Sequence, residues 1–316
     1  MKLRYVTAIA ALVALAAGCE RHSAKRFYWV QPLKGNPTHQ LTQIGFAEGC
    51  RKVGYECKIV GSDEDDTGAT IALAEQALAT GDVAGMCVWA GSPAYRSLVA
   101  KAAKAGVPVV VPHFPWEKAD LPGAAGIVGG DPAECGATAA EVMGRAIGGK
   151  GTVAITEGSF NPTENPVAES FTKTMAAKFP GVTVLKPQLE GFDAAAAIAL
   201  ETQIILNHSD LAGAISSTGS GAQNWAKAQE KSHRKLTIIG MNATRINLDL
   251  VKKGDVYALM AQPMWEESYK AAELLEQLTR KQEIPWWTKL PIPVVTRENV
   301  DKFYDIPDKV DAALHH

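Results

Sequence analysis

Compact apolar runs alternate with longer amphipathic stretches over most of the chain, the pattern of repeated strand–helix units that feed a parallel sheet. Runs at 27–30, 57–60, 83–90 and 107–112 predict a first set of strands, and runs at 151–156, 182–189, 212–216 and 236–240 a second. Val109, Val110 and Val111 are consecutive β-branched residues, which suits a strand covered on both faces. The intervening helices are expected to end where glycine takes the left-handed conformation, at Gly54, Gly81, Gly106, Gly148 and Gly181. Ala271, Leu274, Leu275 and Leu278 keep the i, i+3, i+4, i+7 spacing of a helix with one buried face, which predicts one long helix over 264–282.

Two successive sets of four such units, joined near 126–131, predict an α/β fold of two similar lobes with a cleft between them. Open α/β sheets bind ligands beyond the carboxyl ends of their strands. The candidate contact segments are therefore 31–39, 90–92, 113–116, 157–165, 218–221, 242–245 and 262–265.

The amino terminus changes the picture of where this chain works. Lys2 and Arg4 precede an apolar run over 6–14, too short to span a bilayer, and Leu15-Ala16-Ala17-Gly18-Cys19 forms a small-residue cleavage site that resembles a bacterial lipobox. The expectation is a signal peptide over 1–18, lipidation of Cys19, a tether over 19–25, and a product held at the periplasmic or cell surface; with an ordinary signal peptide it would still be exported. Behind it, 47% hydrophobic and 21% charged residues describe an ordinary globular passenger, with a net charge of -2 and no basic stripe for nucleic acid. With Cys19 set aside, Cys50 and Cys57 bracket Gly54 and form the candidate disulfide pair, a bond that depends on their Cα atoms lying within range. Cys87 and Cys135 read as small buried hydrophobes.

Chemistry-bearing motifs are few. Gly148-Gly149-Lys150 is followed by Gly151, where a phosphate loop needs Ser or Thr, so the segment reads as a turn. The run Asp63-Glu64-Asp65-Asp66 lacks calcium-loop spacing and reads as a solvated helix cap. No histidine pair has metal spacing and no nucleophile elbow is present, so neither enzyme, metal nor cofactor is expected.

Several segments nevertheless fall in a recognisable order: Lys34-Gly35-Asn36-Pro37 with Gly45-Phe46, Ala105-Gly106-Val107-Pro108-Val109-Val110, Gly129-Gly130-Asp131 with Gly136, Ile238-Ile239-Gly240-Met241-Asn242, and Ala261-Gln262-Pro263. In this the chain resembles the type I periplasmic solute-binding proteins of sugar ABC importers, the ribose- and galactose-binding group. The resemblance implies two lobes joined by three crossing strands, one over 26–128 plus 263–288 and the other over 129–262 plus 289–312. It also implies a monomer that captures a small solute and delivers it to an ABC permease, or presents its closed form to a chemoreceptor or sensor kinase. Departures from the family pattern bear on the solute. Pro112-His113 stands where an aspartate is usual, Val167 where an arginine is, Thr218-Gly219-Ser220-Gly221 where Asn-Asp is, and Asn242 ends what is usually Gly-Phe-Asp; Gln262 is kept. The pocket so implied is less charged, with amides that both donate and accept and with tryptophans Trp89, Trp116, Trp225 and Trp265 near strand ends. The expected ligand contacts are Ser92, His113, Trp116, Asn161, Asn165, Thr218, Asn242, Gln262 and Trp265. Sugar or polyol is the leading solute class, with nucleosides and other ring compounds as alternatives. Trp286 and Trp287 are expected to pack at the lobe junction.

Overall fold

A computed structural model describes residues 25–159 and 161–314. The signal peptide and the lipidation site at Cys19 lie outside the described residues. In chain order the first lobe is built from β1 (Arg26–Val30), α1 (Pro37–Val53), β2 (Glu56–Val60), α2 (Thr67–Ala79), β3 (Val83–Val88), α3 (Arg96–Lys104), β4 (Val109–Pro112) and β5 (Gly126–Gly129). The chain then runs through α4 (Pro132–Ala146), β6 (Gly151–Glu157), α5 (Glu164–Lys178), β7 (Val182–Val184), β8 (Gln188–Leu189), α6 (Ala194–Asn207), β9 (Leu211–Ser216), α7 (Gly221–Lys231), β10 (Thr237–Met241), α8 (Arg245–Lys253) and β11 (Ala258–Met260). It returns through α9 (Met264–Thr279) and β12 (Trp287–Lys289), crosses again to β13 (Val294–Thr296) and ends in α10 (Asp305–Leu314).

Among the described residues the strands form two sheets, ordered β12-β5-β4-β3-β1-β2 and β13-β11-β10-β9-β6-β7, with β8 also on β6. All ladders are parallel except β11 with β13. Each sheet is wound in both directions from its first strand, so each has a switch point, between β1 and β3 and between β6 and β9. Three short segments link the sheets, at 130–131, 261–263 and 290–293, and they brace one another through Leu290 N–H to the Gly129 carbonyl (3.0 Å) and Ala261 N–H to the Pro293 carbonyl (2.9 Å). Trp287 Nε1 also donates to the Gly129 carbonyl at 3.3 Å, which places it at the junction, and Trp286 Nε1 donates to the Trp116 carbonyl at 3.0 Å.

Each lobe has its own core. Phe27, Trp29, Phe46, Met86, Leu98, Val109, Val110, Val111 and Leu275 are fully buried in the first. In the second, the period-2 pleat sends Val153, Ile155 and Ile239 to one face of the sheet and Ala154 and Ile238 to the other, under separate helix layers. Helices approach closely where a glycine removes the Cβ: at Gly49 an added Cβ would stand 2.6 Å from the Tyr269 carbonyl oxygen, so α1 lies directly on α9. Asp66, Asp131 and Asp193 cap α2, α4 and α6, which bears out the cap reading of the acidic run.

Most expected helix ends hold: Gly54, Gly81, Gly106 and Gly148 are left-handed, whereas Gly181 is not, because α5 stops two residues earlier at a Phe179 cap. The run at 182–189 divides into β7 and β8, interrupted at Lys186-Pro187, since proline cannot extend a ladder. The joint at 126–131 contains a further strand, β5, and three-residue strands β11, β12 and β13 complete the sheets. Cys50 and Cys57 are disulfide-bonded with Cα atoms 6.1 Å apart, while Cys87 and Cys135 are free and buried. No helix of the described residues is long and apolar enough to cross a membrane.

Candidate functional site

The carboxyl ends of both sheets face one cleft, which encloses about 760 Å³. That lies within the range of roughly 300–1,000 Å³ usual for small-molecule sites.

The first-lobe wall begins where β3 and β4 stop. Trp89 follows β3, and its ring stacks on His113 with centroids 4.7 Å apart and planes 10° from parallel. His39 of α1 tilts against the same indole at 5.4 Å, and Phe114 meets it edge-on at 5.3 Å. His113 has a φ of 70°, so the chain turns sharply out of β4 while its N–H still donates to the Val128 carbonyl at 2.8 Å. Left-handed backbone is uncommon for a residue that carries a Cβ, and here it is held by the bond to Val128 and by the rings packed around His113.

Asn242 is the counterpart in the second lobe. It follows β10, the strand whose place in its sheet matches that of β4, has a φ of 64°, and donates its N–H to the Met260 carbonyl at 3.0 Å. Asn247 holds the turn from below, its Nδ2 donating to the carbonyls of Met241 (2.9 Å), Asn242 (3.1 Å) and Gly219 (2.9 Å). Asn242 Oδ1 is buried without a hydrogen-bond partner among the described residues. A buried acceptor of this kind is costly unless something supplies a donor.

The rest of the second-lobe wall is a hydrogen-bonded set around Glu164. Its Oε2 accepts from Gly158 N–H (2.6 Å) and Ser217 Oγ (2.9 Å), and its Oε1 accepts from Asn161 Nδ2 (2.7 Å). Asn161 Oδ1 in turn accepts from the N–H groups of Thr163 and Glu164, at 2.8 and 2.9 Å. Thr218 Oγ1 donates to buried Glu190, which also accepts from Ser216 Oγ at 2.9 Å. Burial drives the Glu164 carboxyl up, against the hydrogen bonds that hold it down. Burial and the adjoining Glu190 push the Glu201 carboxyl to about 11.

Six of the nine expected contacts come together here: Ser92, His113, Asn161, Thr218, Asn242 and Gln262 line the cleft. Three do not. Trp116 turns into its own lobe, where Nε1 donates to the Ala90 carbonyl at 2.7 Å and the ring lies 5.4 Å from the Arg96 guanidinium. Asn165 sits one residue further along α5 than Glu164, which takes the position facing the cleft. Trp265, in the first turn of α9, stacks on Tyr269 at 5.0 Å and away from the cavity. Trp225 is fully buried, with Nε1 donating to Thr156 Oγ1 at 2.9 Å.

The cleft is also more charged than expected. Asp65, Glu164, Arg245 and Asp311 line it, and Arg245 is tied to Asp308 and, at 2.5 Å, to Asp311 of α10. His39, Phe114, Glu164 and Arg245 lie inside the segments picked from strand ends; Phe192 and the contribution of α10 had no signal in the pattern.

Residues 27–283 match the family model described as periplasmic binding protein domain. None of the curated protein sequences matches the chain. Among solved structures, a sugar ABC transporter sugar-binding protein from Bacillus halodurans is 23% identical with a TM-score of 0.81, over 89% of this chain and 100% of that one. An ABC transporter periplasmic solute-binding protein from Actinobacillus succinogenes with bound D-allose is 22% identical with a TM-score of 0.81, over 88% and 100%. The arabinose-binding protein AraP from Geobacillus stearothermophilus is 23% identical with a TM-score of 0.78, over 89% and 99%. At these identities the likeness establishes the fold.

Glu157, buried at the end of β6, gives a pH dependence to check. Burial first, then Glu164 and Glu169, raise its carboxyl from 4.5 to about 7. The folded protein therefore keeps a proton that the unfolded chain releases, and stability falls as pH climbs from about 4.5 to about 7. Glu157→Gln should remove that fall and stabilise the protein above neutral pH by up to about 3 kcal/mol, as read by denaturant unfolding at a series of pH values.

Proposed function

Because the chain belongs to the periplasmic binding protein family, we propose that it is an extracytoplasmic receptor that closes its lobes on a sugar or polyol and delivers it to an ABC importer. The observation that carries this reading is the facing pair of strand-end turns. His113 on its Trp89 platform offers an aromatic face for a sugar ring, and Asn242 opposite offers a buried acceptor in need of a donor such as a hydroxyl. Gln262, on a crossing segment, adds an amide where the two lobes meet. The D-allose bound by the Actinobacillus succinogenes relative and the sugar-binding role of the Bacillus halodurans one support the same solute class.

The two lobes have separate cores and are linked by short crossing segments and by α10, whose Val310 packs into the first-lobe core while Asp308 and Asp311 pair with Arg245, so a solute touching both walls favours the closed arrangement over the open one. A lipid on Cys19 would keep the receptor near its permease. Cys19→Ala should then move the protein from the membrane to the soluble fraction with its melting temperature unchanged; equal membrane association of the two would reject the anchor.

Native mass spectrometry of the purified protein, followed by calorimetry with D-allose, L-arabinose, D-galactose and D-ribose, tests the solute class. A retained or binding monosaccharide is expected; retention of a compound without hydroxyl-bearing ring carbons would overturn it. Asn242→Ala or Gln262→Ala should weaken binding by about 5- to 150-fold, from about 1–3 kcal/mol of lost pairing, with both variants folded and the melting temperature lowered in Asn242→Ala, whose φ of 64° disfavours alanine.

A further inference from the structure

His113 is backed by a carboxylate that solvent does not reach. Glu267 lies in the first turn of α9, is fully buried, and brings Oε1 to 3.2 Å from His113 Nδ1, an ion-pair approach in which neither carboxylate oxygen has an aligned hydrogen-bond partner among the described residues. Gly129 makes the room, since a Cβ there would stand 2.8 Å from Glu267 Oε2 and 3.2 Å from the His113 backbone. The pair therefore sits where the first crossing segment begins and the second one ends.

Among the described residues His113 is the one ion-pair partner of Glu267. The other titratable groups facing the pair are His39 of α1, Cys87 of β3 and Glu266 on α9 itself. Burial keeps His39 and Cys87 uncharged, and Glu266 adds only negative potential, so none offsets an ionised Glu267. An uncompensated carboxylate at this depth is expensive, so the Glu267–His113 pair is favoured in its net-neutral form. That form has two arrangements, carboxylate with imidazolium or carboxylic acid with neutral imidazole. In the first both ring nitrogens carry hydrogen, and in the second the acid donates to Nδ1, leaving the ring hydrogen on Nε2. Either way Nε2 is an N–H donor.

We propose that Glu267 is a positioning residue of the solute site, one that holds the His113 ring flat against Trp89 and fixes Nε2 as a hydrogen-bond donor to a solute oxygen. The solute part of this inference rests on the sugar-receptor reading; the state of the ring does not, and can be measured without a solute. Without a buried partner at Nδ1 the ring hydrogen is free to move to Nδ1, which turns Nε2 from donor to acceptor and weakens binding. In Glu267→Gln the amide can still donate to Nδ1, so Nε2 keeps its hydrogen, whereas Glu267→Ala removes the partner altogether.

Long-range ¹⁵N–¹H NMR of the histidine rings, with His113→Gln to assign the signal, reads the ring directly in the full mature chain. The expected result at pH 7 is a protonated Nε2 in wild type and in Glu267→Gln. Calorimetry at pH 7, using whichever of D-allose, L-arabinose, D-galactose and D-ribose binds best, should show affinity near wild type in Glu267→Gln and roughly 10-fold weaker binding in Glu267→Ala. A bare Nε2 at pH 7, or equal affinity in all three proteins, overturns the proposal; weaker binding in Glu267→Ala with Nε2 still protonated would mark Glu267 as merely structural. A protonated Nε2 with no binder among the four sugars supports the pair and overturns the monosaccharide reading instead.

Discussion

A parallel sheet covered by helices on both faces leaves its strand ends as the place where polar backbone and side chains can meet a ligand. In this protein two such sheets turn their carboxyl ends towards each other, and the cleft follows from that constraint. The residues just past β4 and β10 bear it most directly. Both His113 and Asn242 adopt left-handed backbone, both donate their N–H to the neighbouring strand, and both line the cleft. Two equivalent strained turns, one per lobe, aim different chemistry at the same space: an aromatic platform on one side and amides and a carboxylate on the other.

Much of this was legible in the chain. The apolar runs located the strands because buried parallel strands are nearly continuous in hydrophobicity, and the glycines located helix ends because four of the five take a conformation other residues avoid. Choosing the segments after each run captured His39, Phe114, Glu164 and Arg245 along with six of the named contacts. What failed was side-chain direction. Trp116 and Trp265 lie in the right segments, yet both rings turn away from the cavity: Trp116 to the Ala90 carbonyl, distant in sequence, and Trp265 to Tyr269 one helical turn on and to Lys309 of α10. Strands of three residues, such as β11 and β12, are too short to leave a periodic trace, and their place is set by pairing with partners distant in sequence.

The charge on the cleft was misread for a related reason. Comparing positions with the sugar-binding family removes carboxylates from the familiar sites, but Glu164 supplies one from the start of α5, and Arg245 is brought to the edge by its tie to α10. Glu164 is held by Gly158, Ser217 and Asn161, so this part of the wall is fixed by the protein's own hydrogen bonds. Such ordering lowers the cost of binding, because the groups need not be fixed at the moment of contact.

A solute bridging both walls holds the lobes together. Small-angle X-ray scattering of solute-free protein, repeated at saturation with the monosaccharide it binds, reads this as a change in size. The bound state should have a smaller radius of gyration and a shorter maximum dimension. Identical scattering curves, from protein first shown by mass spectrometry to be free of retained solute, would contradict it.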